Sequence, residues 1–247
     1  MPLIEPVTMS SAGATAQVIT MKPSLPIEIL PNELARIFSQ IHPAIILSAY
    51  YLRFPALVAD PTSTLLKSLL PLAAVQILYA ALCLPAVGSN SKIVKKIKPN
   101  ARRKADGAVA RRILTSFIAL LFTILSIPLL TLLQILFGAP LTTHLPHTLL
   151  SSAHIALLAV LPLIYVHGSD GKKWREIASL YCPFDEVFGG ALGCLLGAWV
   201  GAVPIPLDWD REWQKWPVTI VTGVYAGYVV GKTLGRWALN GKRIEFD

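Results

Sequence analysis

Charge is scarce in this 247-residue chain: 15% of its residues are charged and 54% are hydrophobic. A water-soluble domain of this length needs far more polar surface to cover its core, so the composition excludes one and indicates an integral membrane protein. Cysteine is scarcer still. Cys83, Cys182 and Cys194 are too few and too scattered for a disulfide framework or a cysteine-based zinc site. None of Asn32, Asn90, Asn100 and Asn240 begins an N-x-S/T sequon. The signatures of common catalysts are missing too, with no H-E-x-x-H, P-loop or G-x-S-x-G. His144 and His147 stand three residues apart without a carboxylate or cysteine beside them, which is a weak zinc signal. No metal or cofactor is expected.

What charge there is sits in one place. Residues 92–112 hold nine basic residues and one acid, Asp106, which accounts for the whole formal net charge of +8. Basic residues concentrated between two apolar segments form a positive-inside signal, so no nucleic-acid partner is expected, although anionic lipid headgroups are available to such a loop. Six apolar segments, 41–58, 65–87, 113–137, 149–166, 187–203 and 217–239, are each about long enough to cross a bilayer as a helix. The expected fold is therefore an all-α bundle of six transmembrane helices. With the 92–112 loop in the cytosol, both termini, Lys172, Lys173 and Arg175 fall on that side, and short loops fall on the other. Residues 1–40, rich in proline, are expected to be a flexible cytosolic arm, 41–239 the membrane domain and 240–247 a short tail. Lys232 is expected to snorkel toward the cytosol. Arg53 has two readings: a functional charge within the membrane, or an arginine snorkelling toward Asp60.

The last two segments each carry a glycine ladder. Gly189, Gly193, Gly197 and Gly201 form one; Gly223, Gly227, Gly231 and Gly235 form the other. A four-residue step keeps each ladder near one stripe of a helix for roughly 18 Å. In lipid, small residues matter because close backbone approach replaces the hydrophobic drive as the source of helix association. A second small-residue stripe, Gly190, Cys194, Ala198 and Ala202, runs beside the first. One stripe is expected to join the two helices, leaving the other to receive a partner helix. Between the ladders lies a loop with Asp208, Trp209, Asp210, Arg211, Trp213, Gln214, Trp216 and Pro217. Its tryptophans suit the headgroup level, and Pro217 suits the first turn of the last helix. Asp208 and Asp210 also match a D-x-D metal pattern, which keeps a membrane transferase open as an alternative. A small lipid or solute carrier is another.

The block G-A-W-V-G-A-V-P-I-P-L-D-W-D-R-E-W-Q-K-W-P, residues 197–217, followed by the second ladder, resembles the PIG-F family of GPI-anchor biosynthesis in its fungal form. The resemblance covers about 184–235, and proline often stands in the family where this chain has Glu212. It implies a non-catalytic, multi-pass subunit of the endoplasmic reticulum membrane. Its implied partner is the large ethanolamine-phosphate transferase that acts late in GPI assembly, which it binds and stabilises.

Overall fold

The computed structural model describes residues 24–89, 101–207 and 209–244, and only the backbone of 101–106. The first part of the expected arm, part of the basic loop, Asp208 and the last three residues lie outside the described residues. All regular structure among the described residues is helical. Helix α1 spans Glu33–Ala59, α2 Pro61–Cys83, α3 Ala101–Leu136 and α4 Leu145–Ile155. A π-helical turn, Ala156–Val160, links α4 to α5, Leu161–His167. Then come α6, Gly171–Ala178, α7, Glu186–Ala202, and α8, Val218–Trp237. Four stretches are long and apolar enough to cross a membrane: Glu33–Ala59, Pro61–Cys83, Gly107–Leu136 and Leu145–His167. α7, with 17 residues, and α8, diluted by glycine, tyrosine and Lys232, fall short of that mark.

Several boundaries differ from expectation for local reasons. α1 starts at Glu33, inside the expected arm, because the Asn32 side chain caps it through the Ala35 N–H. Residues ahead of it pack onto the protein: the Ile27 N–H donates to Asp185 Oδ2 at 2.9 Å, and the Leu30 N–H to the Cys83 carbonyl at 2.9 Å. The 92–112 segment is not wholly a loop either. α3 is already helical at Ala101, the first described residue of that segment, and alanine, arginine and lysine there favour helix. Arg111 donates to the Gly88 carbonyl at 3.1 Å, so this part of the basic segment docks beside the end of α2. The stretch with Lys172, Lys173 and Arg175 forms α6, capped by Asp170. Pro162 has no N–H and would crowd the carbonyl four residues back; the π turn widens the helix there, with the Leu161 N–H reaching the Ala156 carbonyl.

The α4–α5 rod is the centre of the bundle, with 89% of its apolar window buried, against 17–28% for the other three. Contacts sort the loops to two ends. At one, Thr62 after α1 meets His147 of α4 at 3.1 Å, and residues 138–140 share a cavity wall with Pro206 and Trp216. At the other, the Val87 N–H bonds the Tyr165 carbonyl, and Phe184 exchanges backbone hydrogen bonds with Gly241 and Lys242. These are called the tryptophan end and the basic end.

α7 and α8 form the tightest contact. Every glycine of one ladder faces a backbone atom of the other helix: a Cβ on Gly193 would strike the Gly227 carbonyl, and one on Gly197 the Gly223 carbonyl. In an ordinary helix each such glycine costs about 1 kcal/mol relative to alanine, so the close contact has to offset that penalty along both ladders. Gly197→Leu or Gly227→Leu is expected to lower stability by about 3 kcal/mol or more, because backbone cannot move aside as a side chain does. Gly107→Ala, with nothing within 4 Å of the added carbon, is expected to leave thermal unfolding in detergent unchanged or slightly later.

Candidate functional site

The hairpin between α7 and α8 is organised by Gln214, which is 8% exposed. Its amide nitrogen donates to the carbonyls of Pro204 (2.8 Å) and Leu207 (2.7 Å), while its oxygen accepts the Arg211 N–H at 2.9 Å. One side chain thus ties the exit of α7 to the 3-10 turn Glu212–Gln214. Pro217 follows as the residue just before α8, one position earlier than its expected place in the first turn. Trp213 and Trp216 pack half-buried against the core, and Trp209, 52% exposed, leans on Trp213 with ring centroids 5.8 Å apart. Asp210, with φ +47°, and Arg211 are exposed, and Lys215 pairs with Glu212 at 2.8 Å. Of the alternative D-x-D pair, Asp208 lies outside the described residues, and no group of three potential metal ligands occurs among those described.

The second small-residue stripe is split. Gly190 lies under the Tyr228 ring and the Lys232 stem, and Cys194 is 0% exposed, so both are already covered by this chain. Ala198 and Ala202, lower on α7, are half-buried and line a cavity of about 710 Å³. Its walls include Leu133 of α3, Phe137 just after that helix, Trp199 of α7, and Pro206 and Trp216 of the hairpin. The exposed side chains of Leu195, Leu196 and Trp199 border it.

Lys232 does not snorkel. It is 2% exposed, 3.0 Å from Glu186 Oε1, 3.2 Å from His42 Nδ1 and 3.3 Å from the centre of the Tyr79 ring. Glu186, the first residue of α7, also accepts the Tyr79 hydroxyl on Oε1 and pairs through Oε2 with Arg236 at 3.2 Å. Arg236 in turn donates to Ser39. α1, α2, α7 and α8 thus share one enclosed charge network near the basic end. Lys232 and Glu186 are packed against protein, so the network ties these four helices to one another. The sequence offered two signals, an acid abutting an apolar segment and a lysine inside one, but nothing that paired them. His154 is likewise a satisfied interior residue, with Nδ1 2.8 Å from the Tyr225 hydroxyl and Nε2 3.1 Å from the Leu65 carbonyl.

Burial pushes the Cys182 thiol up to about 12, with Asp185 and Glu176 adding to the rise, so it stays protonated. Burial raises the Glu176 carboxyl, but the Ser24 hydroxyl, Lys173 and Arg243 outweigh it and hold the group below its ordinary value.

A family model of the GPI biosynthesis protein family Pig-F matches residues 41–236, from within α1 to the end of α8. The chain belongs to the PIG-F family. The similarity therefore extends far beyond the tryptophan block. Glycosylphosphatidylinositol anchor biosynthesis protein 11 of Neurospora crassa is 41% identical over 98% of this chain and 100% of its own length. Its namesake in Aspergillus fumigatus is 43% identical over 98% of this chain and 94% of its own. The Saccharomyces cerevisiae protein of that name is 43% identical over 46% of this chain and 47% of its own. No solved structure matches. The PIG-F match takes in both glycine ladders, the hairpin and the charge network from His42 to Arg236.

The network predicts an order of damage. Glu186→Gln strands both Lys232 and Arg236, whereas Lys232→Met leaves Glu186 with Arg236 and Tyr79. Breaking a buried pair costs about 3–5 kcal/mol, so both variants are expected to unfold earlier in a detergent melt, with Glu186→Gln the more severe.

Proposed function

We propose that this PIG-F member is a non-catalytic subunit of the endoplasmic reticulum membrane that binds and stabilises a GPI ethanolamine-phosphate transferase. The observation that carries this reading is the unfilled apolar face at the tryptophan end of α7. There, small residues Ala198 and Ala202 lie at the floor of a cavity edged by large exposed apolar side chains. A transmembrane helix of the partner fits that geometry, since small residues admit close approach and the bordering side chains then pack around it. The Trp216 indole N–H points the same way: it is buried at the cavity wall without an acceptor among the described residues, and a partner carbonyl would satisfy it. In this reading α7 and α8 complete a set of six spans with both termini in the cytosol. The basic residues of α3, α6 and the tail support that orientation. The hairpin then faces the lumen, where the glycan is completed.

Ala198→Leu would fill the contact from this side only. Overpacking of this kind costs about 1–3 kcal/mol, so transferase co-purifying in mild detergent is expected to fall roughly tenfold while the level of this chain stays near normal. Undiminished co-purification would overturn the interface. A cysteine at Asp210 is expected to react with a membrane-impermeant maleimide only from the lumenal side of sealed microsomes; reaction from the cytosolic side would reverse the topology.

A further inference from the structure

Arg53 stands apart from the glycine pair and the charge network, and Asp60 is not its partner. Asp60 instead caps α2, accepting the Ser63 N–H at 3.1 Å. The Arg53 guanidinium donates to Ser68 Oγ at 3.0 Å, and none of the ion pairs among the described residues includes it. It lines a groove between α1 and α2 with a volume of about 290 Å³, the lower end of the range for small-ligand sites. The groove is lined chiefly by apolar side chains, among them Ile46, Leu57, Leu65, Leu72 and Val75. Its other polar groups are already engaged. Tyr50 meets Thr222 at 2.6 Å, Thr64 donates to the Ala56 carbonyl, Ser68 to the Thr64 carbonyl, and His154 lies between Tyr225 and Leu65. Arg53 alone has donors to spare.

Depth suits the same ligand. Arg53 lies six residues before the end of α1, roughly 9 Å along the axis. The 27-residue α1 is roughly 40 Å long, so when centred on a hydrocarbon core of about 30 Å it holds the Arg53 Cα about 4 Å inside the edge, from where the stem reaches the headgroups. We propose that the α1–α2 groove is a binding site for a membrane glycerophospholipid. The phosphodiester pairs with Arg53, in the planar geometry arginine offers to phosphate, and one acyl chain runs down the groove. A neutral lipid would leave the cation unmatched, and a soluble phosphate would leave the apolar wall empty. The site is independent of the transferase interface on α7.

The test uses the full chain in dioleoylphosphatidylcholine vesicles carrying trace phosphatidylcholine with a diazirine in one acyl chain. In a parallel arm the probe is diacylglycerol with the same chain. The phospholipid probe is expected to label the peptides spanning residues 46–75 about tenfold more than diacylglycerol does, a difference equal to about 1.4 kcal/mol. Arg53→Gln should reduce phospholipid labelling to the diacylglycerol level, and Arg53→Lys, which keeps the charge without the planar fork, should give an intermediate level. Ala49→Phe, which fills the groove while leaving Arg53 in place, should remove the excess of phospholipid over diacylglycerol labelling and guards against any folding defect of the arginine variants. Equal labelling by the two probes in the wild type, wild-type labelling in Arg53→Gln, or a wild-type phospholipid excess in Ala49→Phe would each overturn the site. Excess glycerophosphocholine that displaces the probe would do the same, since it would show recognition of a headgroup without its chain.

Discussion

Backbone against backbone, between α7 and α8, is the contact on which the rest of the protein depends. Helices surrounded by lipid gain little from burying oily side chains in one another, so their association rests on surface fit. The two glycine ladders provide that fit by removing side chains altogether from both faces. The consequence reaches past the pair itself. Because the helices are pressed together on one stripe, the neighbouring small residues of α7 are carried to defined places. Gly190 and Cys194 are buried within the chain, while Ala198 and Ala202 border the cavity.

The charge network complements that contact. Glycine faces permit sliding, since one small residue resembles the next, and a sheer stripe does little to select a single register. Glu186 removes the ambiguity by meeting Lys232, Arg236 and Tyr79 at once. Ser39 and His42 extend the tie to α1. Buried ion pairs are poor sources of net stability because desolvation opposes attraction, but misplacing one is costly. That asymmetry makes the network a selector of geometry at the basic end, as Gln214 is at the tryptophan end.

Much of this was legible beforehand. Helical class follows from composition, the ladders from their four-residue step, and the hairpin from prolines and tryptophans clustered between them. Local signals that compete with hydropathy were read less well: the Asn32 cap, which draws α1 back into the expected arm, and the alanine-rich, basic run that is already helical at Ala101. α6 was missed because a short amphipathic helix between apolar segments looks like polar loop. Lys232 was misread for a different reason. Snorkelling is the default for a lysine near a helix end, and only a partner contributed by another helix reverses it.

By itself, then, the order of residues determined what kind of molecule this is and which faces are smooth enough to touch, because hydropathy and side-chain size are written along the chain. Pairings between distant positions are not. The meeting of Glu186 with Lys232, the release of Arg53 from Asp60 and the division of one small-residue stripe into a covered and an open half were decided by the tertiary structure alone. Each depends on which helix arrives opposite which, and at what depth.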